Sequence, residues 1–171
     1  MSGHSAPLTL VLGGARSGKS RHAERIVTAL PAPWVYVATA QAFDEEMRNR
    51  IAAHRAQREA GWTTVEAPLD VAGALAAAAR HPVLVDCLTL WLTNLLLGEH
   101  DVAAATARLD TALAARDAPT VLVANEVGLG IVPDNTLARH FRDRAGQLNQ
   151  HLAARADSVL FLVAGLPMRV K

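Results

Sequence analysis

A chain of 171 residues falls within the range of a single domain, long enough to bury a core without disulfide or metal staples. Seventeen Lys and Arg against sixteen Asp and Glu leave a net charge of +1, which argues against a nucleic-acid binder that works by neutralising phosphates. Cys87 is the single cysteine, so a disulfide framework and a cysteine zinc cluster are excluded.

Asp86, Thr93 and glycines break the apolar runs well short of the ~18–20 residues that span a membrane. The opening Met-Ser-Gly-His-Ser-Ala-Pro lacks the basic-then-apolar plan of a secretory signal, so a soluble, cytoplasmic protein is expected. Apolar residues make up 51% and aromatics only 4%, which predicts an aliphatic, alanine-rich core.

Residues 1–7 read as a flexible tail, and 8–171 as one catalytic domain. Leu8 to Leu12 is a short apolar run closed by Gly13-Gly14, the pattern of a buried strand. Ser20 to Leu30 carries helical character, Trp34 to Ala38 is a second strand, and Asp44 to Ala60 predicts a helix with acids first and arginines later. Trp62 to Glu66 is a short strand and Asp70 to Arg80 an Ala-rich helix stopped by His81-Pro82.

Val83 to Val85 predicts a strand, Leu88 to Leu97 a helix, Asp101 to Arg116 another, and Thr120 to Ala124 a further strand. Leu137 to Ala154 is a helix with Leu137, Phe141, Leu148 and Leu152 on one stripe; Val159 to Val163 and Met168 to Val170 end the series as strands. Short apolar strands alternating with helices imply βαβ units: an α/β fold with a mainly parallel sheet and helices on both faces.

Gly13-Gly14-Ala15-Arg16-Ser17-Gly18-Lys19-Ser20 fits the phosphate-loop pattern G-x-x-x-x-G-K-[ST] in full, between a strand and a helix. Glycines let the backbone wrap a polyphosphate, and the N–H groups at the helix start face the anion. Lys19 is placed to reach the β- and γ-phosphates and the Ser20 hydroxyl to ligate Mg²⁺. Asp86, ending the Val83-Leu84-Val85 run, has two readings: a second holder of that metal, or a cap for the following helix. The Asn-Lys-x-Asp base-reading pattern of small GTPases is missing.

Between Arg48 and Arg58 lie four arginines, His54 and no acid. Cationic neighbours lower a histidine's pKa and neutralise a phosphate that a neutral imidazole attacks. The residues alone favour the plainer alternative, a boundary histidine on a solvated basic helix. Asn125 and Glu126, followed by Gly128 and Gly130, fall where open α/β sheets bind ligands, or else form a plain turn. Arg139, Arg142, Arg144 and Gln147 read as a solvated helix face.

Taken in order, these motifs resemble the bifunctional adenosylcobinamide kinase / adenosylcobinamide-phosphate guanylyltransferase family of cobalamin biosynthesis. Besides the phosphate loop, the resemblance rests on Tyr36-Val37-Ala38-Thr39-Ala40, Glu46-Met47, Arg50-Ile51, His54-Arg55 and Glu66-Ala67-Pro68. It continues through Val85 to Leu95, Asn125 to Pro133, Arg139 to Asp143, Asn149-Gln150 and Gly165-Leu166-Pro167.

The resemblance implies a RecA-like P-loop fold and a homotrimer. It implies phosphorylation of adenosylcobinamide by ATP or GTP, then GMP transfer from GTP to adenosylcobinamide phosphate through a guanylylated His54. It also implies nucleotide contacts at Gly13 to Ser20, Ala38, Thr39, Ala40, Arg55, Ala56, Gln57, Arg58, Glu66 and Asp86. Ala53 stands where some relatives carry a second histidine, and Glu59 where proline often follows the arginine. A P-loop kinase of another small molecule, or a non-catalytic nucleotide switch, are the alternatives to be separated.

Overall fold

Seven strands pair into one sheet in the computed structural model, which describes residues 6–41, 45 and 60–171. They are β1 (Leu8–Gly13), β2 (Trp34–Ala38), β3 (Trp62–Glu66), β4 (Val83–Asp86), β5 (Thr120–Asn125), β6 (Ser158–Val163) and β7 (Leu166–Arg169). Their spatial order is β3-β2-β4-β5-β1-β6-β7; the first six run parallel and β7 pairs antiparallel with β6. The described helices are α1 (Lys19–Thr28), α2 (Val71–Ala77), α3 (Leu88–Leu97), α4 (Val102–Ala114) and α5 (Thr136–Arg155).

The strands are short Val- and Leu-rich runs because both faces of a parallel sheet are covered. Alternate residues divide into two cores. On one face Leu10, Val35, Val37, Val83, Val85, Leu122 and Val159 pack with α2, α3, α4 and α5 through Leu75, Leu92, Leu109 and Leu152. On the other, Val11, Tyr36, Leu84, Val121, Val123 and Leu162 pack with Ala23 and Val27 of α1.

Topology explains this division. The β1-to-β2 connection runs toward the β3 edge and crosses β5 and β4, where α1 packs, whereas the connections from β3 to β4, β4 to β5 and β5 to β6 run the opposite way. Right-handed crossovers in opposite directions lie on opposite faces. Asp70, Asp101 and Asn135 cap α2, α4 and α5, each accepting from the N–H three residues on.

Two expectations are corrected. The Asp70–Arg80 helix stops at Ala77, because Ala78 leaves helical geometry ahead of His81-Pro82 and the buried Arg116 takes the Leu75 and Ala78 carbonyls. Leu137 does not join the buried stripe: it is 59% exposed, since α5 starts on the loop after β5 and enters the core only from Phe141. The Ala6 N–H donates to the Arg116 carbonyl, and the Pro7 carbonyl accepts from the Thr120 N–H. The predicted Asp44–Ala60 helix lies outside the described residues except for Glu45 and Ala60.

Candidate functional site

Parallel strands bring their carboxyl ends to one edge, and register sets what meets there. Glu66 pairs with Ala38, Ala38 with Asp86, Asp86 with Val123, and Asn125 with Gly13. Side chains alternate along a strand. Glu66, Ala38, Asp86 and Asn125 therefore share the face of Trp62, Tyr36, Leu84 and Val123, the face that α1 covers. Residues far apart in sequence form a row beside the phosphate loop.

The loop joins β1 to α1. Arg16 (φ 55°) and Gly18 (φ 89°) take left-handed backbone conformations that turn the chain so α1 begins at Lys19. Lys19 Nζ donates to the Gly14 carbonyl at 3.0 Å, which holds the ammonium across the loop. The turn between β6 and β7 braces it from outside, the Gly165 N–H donating to the Ser17 carbonyl at 2.9 Å. A Cβ on Gly18 would lie 3.3 Å from Gly165 Cα, and one on Gly13 only 2.5 Å from Ser17 Oγ. Gly13 is required by close approach, since the same Cβ would also lie 2.9 Å from the Leu162 carbonyl oxygen, and Gly18 by its left-handed backbone. Ser17 is buried, and its Oγ has no hydrogen-bond partner among the described residues.

Asp86 does not cap α3. The cap position is Cys87, and Asp86 Oδ2 instead accepts from Tyr36 Oη at 2.9 Å. Tyr36 itself packs edge-on against Trp62, which also meets Trp34. Ser20 in the first turn of α1 and Asp86 at the end of β4 are hard oxygen donors on the same face. Among the described residues no three His, Cys, Asp or Glu side chains gather as a metal cage. That donor set suits Mg²⁺, which is commonly held by one or two carboxylates, phosphates and waters.

Thr39 is fully buried and serves as a clamp. Its Oγ1 donates to the Cys87 carbonyl (2.7 Å) and accepts from the Cys87 N–H (2.8 Å), and its own N–H donates to the Asp86 carbonyl. Asn94 Nδ2, from α3, donates to the carbonyls of Thr39 and Pro68 at 2.9 Å each. Trp91 Nε1 donates to Leu69. One polar side of α3 therefore fixes the loops after β2 and β3 beside Asp86. Burial, then the Asp86 charge, pushes the Cys87 thiol up to about 11, so it is a packing residue rather than a nucleophile.

Asn125 and Glu126 close the row. The Asn125 N–H donates to Thr89 Oγ1 at 2.7 Å, its carbonyl accepts from Asn149 Nδ2 at 3.1 Å, and the Glu126 N–H donates to Gly13. Glu126 Oε1 accepts from the Gly128 N–H. The expected solvated face of α5 is corrected at two positions. Arg142 donates to the Gly128 carbonyl, and Arg139 to those of Pro133 and Asp134, so these guanidiniums fasten the loop. The signal missed in sequence was buried polarity inside apolar helices: Thr89, Asn94 and Asn149 are all buried.

Of the expected site residues, Gly13, Gly14, Ala15, Arg16, Ser17, Gly18, Lys19, Ser20, Ala38, Thr39, Ala40, Glu66 and Asp86 sit along this edge. His54, Arg55, Ala56, Gln57 and Arg58 lie outside the described residues.

A phosphate loop on one strand, with a carboxylate ending the strand two places away on the same face, defines a P-loop α/β protein of the nucleotide-using class. A KaiC-like protein of the archaeon Pyrococcus horikoshii shares the fold, with a TM-score of 0.51 at 14% identity over 91% of this chain and 71% of that one. The sequence pattern of the family described as cobinamide kinase / cobinamide phosphate guanyltransferase matches residues 9–170, and the chain belongs to that family. It is 51% identical to a bifunctional adenosylcobalamin biosynthesis protein, CobP, of Pseudomonas aeruginosa, over 95% of this chain and 96% of that one. To the bifunctional CobU protein of Salmonella typhimurium it is 44% identical, over 96% and 99%. No described helix is long and apolar enough to cross a membrane.

Proposed function

We propose that this chain carries out both reactions of its family: phosphorylation of adenosylcobinamide by ATP or GTP, then transfer of GMP from GTP to adenosylcobinamide phosphate. The observation that carries the reading is the phosphate loop and Asp86 on one face of one sheet edge, in a chain of this family. Gly13 to Ser20 hold the phosphates through loop N–H groups, with Lys19 on the transferring phosphoryl group. Ala38, Thr39 and Ala40 give the nucleotide a fixed backbone edge, and Glu66 contacts it at the end of the row.

Ser20 and Asp86 would hold Mg²⁺, which neutralises phosphate charge when bound. In the kinase step the aminopropanol hydroxyl forms a bond to the γ-phosphorus while the bond to the β-phosphate oxygen breaks. In the second, His54 attacks the α-phosphorus of GTP, a P–N bond forms and pyrophosphate leaves. A phosphate oxygen of adenosylcobinamide phosphate then attacks, frees His54 and gives adenosylcobinamide-GDP. Arg55 to Arg58 neighbour the nucleophile, and their cations favour neutral imidazole while stabilising the phosphate. The protein is a cytoplasmic homotrimer in this reading, for which light scattering giving a monomer mass at micromolar concentration is the contrary result.

The test uses GTP labelled at the α- or the γ-phosphate, with Mg²⁺, and wild type beside His54→Ala. Acid-labile, base-stable α-label on denatured wild type, absent from the variant, is the expected outcome. Wild type that binds GTP yet retains no α-label would leave a P-loop kinase without guanylyltransferase activity.

A further inference from the structure

We propose that Asn125 is a further catalytic residue of the kinase step, its carboxamide oxygen accepting a hydrogen bond from the hydroxyl that attacks the γ-phosphate. The inference rests on the phosphate-loop reading above. β5 lies directly between the phosphate-loop strand and the Asp86 strand, and Asn125 is its last residue, in register with Gly13 and two residues beyond the partner of Asp86. Strand alternation turns it to the α1 face, where the phosphate loop, Ser20 and Asp86 lie.

Its backbone is fixed from three directions. Thr89 Oγ1 receives its N–H, Asn149 holds its carbonyl, and the next residue's N–H is tied to Gly13. Two neighbouring elements thus spend buried polar groups on orienting one residue. Yet Asn125 Oδ1 is itself buried with no hydrogen-bond partner among the described residues. A buried carbonyl oxygen left unpaired is unfavourable, and native structures seldom keep one unless a ligand, ion or water completes it.

The chemistry selects the donor. A carboxamide oxygen only accepts, and nucleotide phosphate oxygens near neutral pH have little proton to give. The reacting group with an O–H is the alcohol. Held by Oδ1, its lone pair faces the γ-phosphorus; the new O–P bond forms, the bond to the leaving nucleoside diphosphate breaks, and the hydroxyl proton passes to a phosphoryl oxygen. Asn125 takes no proton and acts by orientation.

Guanylylation of the protein by GTP uses no alcohol, so the two half-reactions separate the outcomes. Asn125→Ala is measured for GTP affinity, for kinase kcat and KM with adenosylcobinamide, and for retention of α-label from GTP. Lys19→Ala runs alongside. Expected for Asn125→Ala is a kinase kcat about 100-fold lower, with GTP affinity and α-labelling within about twofold of wild type. An unchanged kinase kcat overturns the proposal. So does an equal loss of kinase and α-labelling, which would place Asn125 on the nucleotide or its metal-bound water. If Lys19→Ala binds GTP as wild type does, the phosphate-loop reading itself has failed, and Asn125 loses its ground with it. Should Asn125→Ala melt early, Asn125→Ser is read by the same criteria.

Discussion

Tyr36 reaches across from the neighbouring strand to place its hydroxyl 2.9 Å from Asp86 Oδ2, at the carboxyl edge where the phosphate loop opens. One carboxylate oxygen is thereby aimed by a ring that packs against Trp62 in the α1-face core. Tyr36→Phe removes the donor and keeps the ring. Expected are a stability loss of about 1 kcal/mol and a several-fold higher Mg²⁺ requirement in the kinase assay. A variant with wild-type Mg²⁺ dependence would show that Tyr36 matters to packing alone.

Gly18 sits at φ 89° with the Gly165 turn directly above it. Gly18→Ala meets two penalties, a left-handed backbone costing about 1–2 kcal/mol for a residue with a Cβ and a methyl pressed against Gly165. The loop must open to relieve both. GTP affinity is expected to fall more than about tenfold, read by isothermal titration. Gly146→Ala, on α5 with open space at its Cβ, is the matched control. Equal affinity in Gly18→Ala and wild type would mean that the loop's curvature is not what binds phosphate.

The strand-loop-helix unit and the mainly parallel character of the sheet were legible because their signals are local: apolar runs of strand length alternating with helices, and a full phosphate-loop pattern. Trp62–Glu66 and Leu88–Leu97 were bounded to the residue. What sequence could not show was pairing across the chain. Thr39 reads as a loop residue until Cys87 lies beside it, and Asn94 as a blemish in a leucine-rich helix until two loop carbonyls meet it. Arg116 looked like the last turn of a helix; it is a buried guanidinium serving three carbonyls and Thr120. Asn125 was found by position only, since the burial of its Oδ1 without a hydrogen-bond partner among the described residues is a property of the fold.

Cys87 is buried, and desolvation with the nearby Asp86 charge pushes its thiol up to about 11. At pH 8 about one molecule in a thousand then carries the thiolate that reacts. The folded protein is expected to resist Ellman's reagent at pH 8 and to release one equivalent once unfolded in guanidinium. Rapid native reaction would contradict both the burial and the shift.

Arg116 ties three segments together: Nε to Thr120 Oγ1, one terminal nitrogen to Leu75 and Ala78, and the other to His81. Burial draws its pKa down to about 10, still well above neutral, so the guanidinium remains a full set of donors at working pH. Arg116→Ala strands several buried acceptors at once, for a loss on the order of 3–5 kcal/mol, measured by urea denaturation. Arg116→Lys keeps charge but not the planar fork, and is expected to recover only part. The site lies at the opposite ends of β4 and β5, so residual folded Arg116→Ala should bind GTP normally in the cold. A stability loss under about 1 kcal/mol would mean that water replaces the guanidinium and that the α2 terminus is not set by it.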